Sequence, residues 1–395
     1  MKSLTCLYVH DHVFKQNKDN YYSEGKITDA VFSRYINESE SLIVYSRIEE
    51  SDDQICLTKI SLENVSFSPV RGRAFSKIFS RHFFYNIKLA LQLIKLADFI
   101  VVRLPSFLGI FILILNILFK KRFFIELVGD PKEALLNSKN KTDAFFKIFV
   151  RILVFLNKLF VKSADGVIYV TQFQLQKDYP SFKLQSYASN VELDFLNKEF
   201  FLDFYRKRSD PFKIGLIGSF NNGYKGIDTA IQALNFVTQK RYNAFLHIVG
   251  SGSLKDFYLD LAKDLNISDR VIFDGALSGG EQVNQWLDSL SLYIQPSKTE
   301  GLPRALIEAM ARGLPALASN VGGIPELLSS DFLITDNSPE QLAEKIELFI
   351  ESPDFCYEQG KINYDKSKEY SSNILKERRS KFWNEAKAIV ERDMK

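Results

Sequence analysis

The chain has 395 residues, 25% of them charged and 46% hydrophobic, with a formal net charge of +3. That length accommodates two ordinary domains, and that balance describes a soluble globular protein rather than a disordered or fibrous one. Three cysteines (Cys6, Cys56, Cys356) are few and widely spaced, which excludes a zinc motif or disulfide framework and predicts a reducing cytoplasm.

The opening stretch Met1–His10 has too short an apolar run for a signal peptide, and His10-Asp11-His12 interrupts it. It predicts a strand at Leu4–Val9, ended by the two histidines. Further strands are predicted at Ser41–Tyr45, Phe99–Arg103, Phe123–Val128 and Gly166–Val170. Long helices fill the gaps near Ala74–Leu96, Ser106–Lys120 and Thr142–Ser163. The apolar block Phe107–Phe119 is 13 residues long, short of the roughly 20 that span a bilayer, and reads as a buried helix.

Charge is unevenly spread. Residues 1–70 carry a net −4, residues 71–190 a net +12 and residues 191–395 a net −5, so a basic module lies between acidic flanks and suggests an anionic partner. On the helix near 74–96, Lys77, Arg81, Lys88 and Lys95 fall within ~40° of one another, and near 142–163 Lys147, Arg151, Lys158 and Lys162 fall within ~60°. Such stripes suit an anionic membrane surface; a solvated outer face on a core helix is the plain alternative. No nucleic-acid module is recognisable.

The second half alternates strand and helix regularly. Strands are predicted at Phe212–Ser219, Ala244–Gly250, Arg270–Gly275, Ser291–Pro296, Pro315–Ser319 and Phe332–Thr335. Helices are predicted at Gly226–Gln239, Ser253–Leu265, Gly279–Leu290, Leu302–Arg312 and Pro339–Glu351. This is the pattern of an α/β fold with a parallel sheet, whose ligands sit beyond the carboxyl ends of the strands. The domain boundary falls in the polar stretch between about Ser189 and Pro211. Domain one is 1–200 together with a helix at 373–392 that returns to it; domain two is 201–372.

The segment Glu300-Gly301-Leu302-Pro303-Arg304 through Glu308 to Gly313 sets one carboxylate just before a helix and a second, eight residues on, inside it. Pro303 suits a first helical turn, while Gly313 and Pro315 end the helix. Its neighbours are apolar, so Glu308 points into protein and needs a partner. Arg304, four residues earlier on the same face, is one candidate. A vicinal diol, with two adjacent hydroxyl donors, is the other. Glu300 lies where a helix N-terminus favours phosphate. A second signal is the turn from Gly218 and Ser219 to Lys225-Gly226, which offers backbone N–H groups and a point charge to an anion without being a Walker loop or a dinucleotide fingerprint. Gly250-Ser-Gly252 closes the next strand in the same way.

From about Ile214 to Leu328 these motifs together resemble the retaining glycosyltransferases of the GT-B fold, family four. The match rests on Gly218…Lys225-Gly226, Val249-Gly-Ser-Gly252, Val271–Gly275, Glu300…Glu308, Gly313-Leu-Pro315 and Ser319–Glu326. It implies two facing Rossmann-like domains with a cleft between. It implies that Glu308 holds the ribose of a nucleoside-diphosphate sugar, Glu300 the donor sugar, and Lys225 the leaving diphosphate. Backbone from Gly301, Leu302, Pro303 and Arg304 would face the donor, and the base would lie near Gly275 and Leu277. No cofactor beyond the donor substrate is implied, and the absence of an Asp-x-Asp motif agrees with a metal-independent reaction. The acceptor would be a lipid-linked saccharide of cell-surface polysaccharide assembly, with the protein peripheral on the inner face of the membrane.

Two positions depart from the family pattern. Ser219 stands where relatives carry a basic residue, and Arg304 is the candidate replacement. Gly129, in Val128-Gly129-Asp130, stands where relatives often place a histidine, which leaves Asp130 as the candidate acceptor-side group, with His10 and His12, facing the implied cleft, as candidate acceptor or phosphate contacts. These departures keep a second reading open, a catalytically inactive GT-B scaffold that binds a partner or a nucleotide sugar; a GT-B epimerase or phosphorylase is a third.

Overall fold

The computed structural model describes residues 3–23, 27–37, 40–51, 57–72, 81–132, 144–193 and 211–393. Residues 73–80, and with them Lys77 and the predicted start of the helix at Ala74, lie outside these, as does Cys56.

The first lobe is built on nine strands: β1 (Thr5–Asn17), β2 (Asn20–Ser23), β3 (Ser41–Glu50), β4 (Thr58–Lys59), β5 (Val65–Pro69), β6 (Phe99–Leu104), β7 (Arg122–Leu127), β8 (Gly166–Tyr169) and β9 (Leu184–Tyr187). Seven run parallel in the order β5-β3-β1-β6-β7-β8-β9; β2 pairs antiparallel with the far end of β1, and β4 antiparallel with β2. Its helices are α1 (Asp29–Phe32), α2 (Phe83–Leu96), α3 (Phe107–Asn116), α4 (Ala144–Ser163) and α5 (Gln174–Asp178).

Three sequence expectations change here. The first strand does not end at Val9: it bulges between Val9 and Val13 and runs on to Asn17. His10-Asp11-His12 is therefore the bulge of one long strand, where an irregular register re-aims side chains. The third helix stops at Asn116, not Lys120, because the Asn116 side chain donates to the Lys121 carbonyl (2.9 Å) and accepts its N–H (3.1 Å), closing the helix locally. Nor is the apolar block wholly buried: Ile117 is 63% and Leu118 75% exposed.

The second lobe carries β10 (Phe212–Ile217), β11 (Ala244–Val249), β12 (Val271–Gly275), β13 (Leu292–Gln295), β14 (Ala316–Ser319) and β15 (Leu333–Ile334). All are parallel, in the order β12-β11-β10-β13-β14-β15. The helices are α6 (Ile227–Gln239), α7 (Lys255–Asp264), α8 (Glu281–Asp288), α9 (Arg304–Ala311), α10 (Pro339–Glu351) and α11 (Pro353–Ser367). Strand alternation divides the core. Tyr293, Ala316 and Ala318 belong to a cluster continuous with the first lobe, whereas Leu292, Ile294 and Leu317 belong to one beneath α6 and α10. In both lobes the chain reverses direction of travel across the sheet, at β1/β6 and at β10/β13, and such switch points open ligand crevices.

The last helix, α12 (Ser372–Asp393), returns to the first lobe. Its Phe382 and Trp383 pack on Phe124 of β7, Lys387 pairs with Glu40 at 2.7 Å and Arg122 pairs with Asp393. Beneath it lies a sealed cluster of charges. Glu126 stands opposite Arg103 across the β6–β7 pair, forms an ion pair with it at 3.0 Å and receives the Tyr35 hydroxyl at 3.1 Å, with Arg34 at 3.7 Å. Burial works to raise the Glu126 carboxyl, and Arg103, Arg34 and Arg379 outweigh it, holding it below the ordinary carboxylate range. Arg379, on α12, is pushed down to about 10 by its own burial and by Arg34.

Candidate active site

The second-lobe switch point brings Lys225 and Glu300 together. Lys225 leaves the turn after β10 and Glu300 the loop after β13, 75 residues apart in sequence. Gly226, between Lys225 and α6, has φ +68°, and a Cβ there would lie 1.7 Å from the Pro296 carbonyl oxygen. Only a glycine lets the turn press so closely on the β13 loop. The Lys298 N–H then bonds the Tyr224 carbonyl at 2.7 Å and the Lys298 ammonium bonds Asp228 at 2.9 Å, fastening the two loops on either side of Lys225.

Three donors converge on one oxygen of Glu300. Lys225 Nζ lies 2.7 Å, Ser297 Oγ 2.7 Å and Gln295 Nε2 3.1 Å from its Oε1. Gln295 is itself held by the buried Tyr293 hydroxyl at 2.7 Å, and donates to Ser297 at 2.7 Å. Gln295 and Ser297 are fully buried, and neither was singled out from the sequence. Their signal was a polar pair at the end of an otherwise apolar strand, where a core has no use for them unless they hold something.

The remaining candidates surround this pair. Pro303 is the residue before α9 rather than its first turn, and Arg304 opens the helix. Leu302 is buried. Gly301 faces the other lobe: a Cβ there would lie 2.7 Å from the Val128 carbonyl oxygen and 3.3 Å from the Gly129 Cα, so the loop carrying Glu300 rests on the turn after β7. Glu308 projects from the middle of α9. Desolvation pushes its carboxyl above the ordinary range, Arg304 opposes that rise and Glu192 adds to it. The Arg304 Nε stands 4.0 Å from Glu308, and the Arg304 side chain is 55% exposed, too loose a contact to satisfy the carboxylate. Gly218 is buried beneath the stem of Lys225, and Ser219 Oγ accepts the Asn221 N–H at 3.3 Å. Gly275 borders open space and its carbonyl receives the Gly250 N–H at 2.8 Å; Leu277, just beyond it, is half-buried.

The first-lobe candidates bond to neighbours in their own lobe. Asp130 Oδ1 accepts the Tyr179 hydroxyl at 2.5 Å and the Lys132 N–H at 2.8 Å, engaging it within its own lobe. His12 Nε2 lies 3.0 Å from Ser23 Oγ, and its N–H donates to His10 Nδ1 at 3.1 Å. Asp11 between them does more: it receives the Phe107 N–H at 2.6 Å, the Leu108 N–H at 2.9 Å and Ser106 Oγ at 3.0 Å. The positive end of α3 is thus satisfied by the protein itself. Among the described residues, no group of three or more His, Cys, Asp or Glu is arranged to hold a metal ion.

Lys225 and Glu300 thus meet at the second-lobe switch point, and Glu308 follows eight residues on, inside α9. The family description "Glycosyl transferases group 1" matches residues 197–366. Over 393 residues the chain is 33% identical to Protein CapJ of Staphylococcus aureus, covering 98% of this chain and 97% of that one. The chain belongs to the glycosyl transferases group 1 family. It is also 33% identical over 128 residues to the amylovoran biosynthesis glycosyltransferase AmsK of Erwinia amylovora, about a third of each chain (30% and 31%). Its backbone follows sucrose-phosphate synthase from Thermosynechococcus elongatus with a TM-score of 0.70, at 16% identity over 98% of this chain and 100% of that one. It follows Anabaena HepE in complex with UDP with a TM-score of 0.64, at 16% identity over 95% and 98%. The fold is therefore GT-B, and family members transfer glycosyl groups.

Proposed function

We propose that this glycosyltransferase moves a sugar, with retention, from a nucleoside-diphosphate sugar bound by the second lobe to a saccharide acceptor bound by the first. The observation that carries the reading is the convergence of Lys225, Gln295 and Ser297 on Glu300 at the β10/β13 crevice. A donor diphosphate competes with Glu300 for the Lys225 ammonium; once Lys225 turns to the phosphate, the carboxylate is released to accept sugar hydroxyls. Charge then builds on the departing phosphate in the transition state, and a fixed cation there lowers the barrier. The raised Glu308 carboxyl is a desolvated acceptor awaiting two donors, which a ribose diol supplies. The base rests by Gly275 and Leu277. No nucleophile is assigned, so transfer proceeds on the front face, with the leaving phosphate oxygen taking the proton of the attacking hydroxyl. Metal-independence belongs to the same proposal.

The HepE complex makes UDP the first nucleotide to try. Thermal unfolding with UDP- and GDP-sugars identifies the donor, because a ligand of the native state alone raises Tm by mass action. Donor hydrolysis or transfer that Glu300→Ala abolishes supports the reading; nucleotide-sugar binding without turnover by the native chain supports the inactive scaffold instead.

The acceptor we propose is a lipid-linked saccharide of cell-surface polysaccharide assembly, presented at an anionic membrane. Among the described residues no helix is long and apolar enough to cross a membrane. On α4, however, Ile148, Ile152, Phe155 and Leu159 are exposed beside the exposed Lys147, Arg151, Lys158 and Lys162. Exposed apolar groups rimmed by cations match the boundary between lipid tails and acidic headgroups. Co-sedimentation with phosphatidylglycerol vesicles, lost with phosphatidylcholine vesicles and in Phe155→Glu, is the expected outcome; equal behaviour of both lipids removes the membrane from the proposal.

A further inference from the structure

We propose that Glu326 is a latch between the lobes: a positioning residue that fixes their closed arrangement and, through it, the loop carrying Glu300. Its role as a positioner of transfer rests on the function proposed above, while its role in closing the lobes does not. Glu326 belongs to the second lobe, in the short turn Ile324–Glu326 after β14. Its carboxylate crosses to the first lobe and accepts three consecutive backbone N–H groups: Gln172 at 2.6 Å on Oε2, and Phe173 at 2.9 Å and Gln174 at 2.7 Å on Oε1. These N–H groups open α5, where a helix leaves its donors without intrahelical partners. Both oxygens of a formal charge are thus spent on the other lobe, and bonds of this kind are shorter and stronger than neutral ones.

The grip is connected to the donor loop by a short, ordered path. The Glu326 N–H bonds the Gly323 carbonyl at 3.1 Å, and the Gly323 N–H bonds the Gly301 carbonyl at 2.7 Å. Ile324, between them, is fully buried. On the far side of Gly323, a Cβ would meet Thr171 Cγ2 of the first lobe at 2.8 Å, just as one on Gly301 would meet the Val128 carbonyl. Two neighbouring first-lobe strand ends, after β7 and after β8, therefore seat against one second-lobe unit made of Glu300-Gly301 and Gly323–Glu326. A reaction whose donor and acceptor sit on different lobes requires a defined closed state. Glu326 supplies its strongest directional contact at that seat.

The test uses the full chain as wild type, Glu326→Ala and Glu326→Gln, the latter keeping volume and one acceptor oxygen. Small-angle scattering reads lobe separation, thermal unfolding reads stability, and turnover of UDP-glucose, UDP-N-acetylglucosamine and GDP-mannose reads chemistry. For Glu326→Ala we expect a radius of gyration larger by about 1 Å, a kcat lower by about ten-fold and a nucleotide Kd within about two-fold of wild type, with Glu326→Gln between. Scattering and kcat unchanged in both variants overturn the latch. So does a joint fall of Tm, nucleotide affinity and kcat without lobe opening, the signature of a mere helix cap. If wild type turns over none of the three donors, the function proposed above is what fails, and the scattering comparison alone still decides the latch.

Discussion

Two carboxylates in this protein each gather cationic and hydroxyl donors, and they do opposite work. Glu126 lies between β6 and α12, sealed with Arg103, Arg34 and Tyr35. Glu300 lies at the second-lobe switch point, with Lys225 and Ser297 on one oxygen; its side chain is 9% exposed and that of Lys225 17%, against 4% for Glu126 and 10% for Arg103. The chemistry of the pairs is alike; access differs. Where no solvent or ligand can enter, the pair is a permanent clamp between the returning helix and the sheet. Where a ligand can enter, the same pair is an exchangeable lock, whose cation can be taken by a phosphate. A single charge-paired acid is thus not evidence of a site until its exposure to a crevice is known.

Removing each acid should break this contrast in a different observable. Glu126→Ala removes the buried carboxylate that Arg103, Arg34 and Arg379 share and should cost about 3–5 kcal/mol of stability, the penalty of an orphaned buried charge, read by denaturant unfolding. Glu300→Ala and Lys225→Ala should cost about 10²–10³ in kcat/KM, the scale of one transition-state contact, with Tm lower by only about 2–4 °C. If Glu300→Ala unfolds the chain as badly as Glu126→Ala does, the distinction between clamp and lock is wrong.

Glu308 offers a finer probe, since its carboxyl is raised. A folded-state pKa above the unfolded one means the native state holds the proton more tightly, so ionisation costs stability as pH rises through that raised value. Ribose binding needs the ionised form, so donor affinity should strengthen as pH rises through that raised value, above the ordinary glutamate value of about 4.3. Glu308→Gln should flatten the affinity profile while leaving the free protein as stable or ~1–3 °C more so near pH 7. Calorimetric titrations from pH 5 to pH 8 would read this. Smallest of all, Arg304→Ala should lower donor affinity by about two- to five-fold if Arg304 supplies the charge missing at Ser219. Unchanged affinity and turnover would leave it only a loose neighbour of Glu308.

The second lobe was legible in the sequence because each of its strands is a short apolar run between turns, and each helix repeats at 3.6. Glu300, Glu308 and Lys225 could be named from the spacing of two carboxylates around one helix, from the glycine turn and from the family resemblance; that Lys225 meets Glu300 is a consequence of strand order, since β10 and β13 are neighbours. The first lobe was less legible. β2, β5 and β9 are short and half-exposed, so no apolar run marks them, and the bulge in β1 disguised one strand as a strand plus a histidine turn. Asp11 looked like a spacer between two candidate ligands, yet it is the residue that holds the α3 terminus. Gln295 and Ser297 lacked a spacing rule, and Glu326 finds its partners about 150 residues away. Contacts of that range have no local trace. Even the Glu126 cluster joins residues from the turn after α1 and from β6, β7 and α12, segments far apart in the chain.

The return of α12 also fixes an order of assembly. Phe382, Trp383, Ala386 and Val390 are buried in the core that β7 and β8 begin, yet synthesis reaches them only after every strand of the second lobe. The ribosome therefore releases an unfinished first lobe, with the seat for Trp383 bare and Glu126 lacking the nearby Arg379, while the second lobe is still being made. Domains usually fold in the order they emerge; here the earlier one must wait for the later, and a chaperone that shields apolar surface would find its task on the amino-terminal lobe.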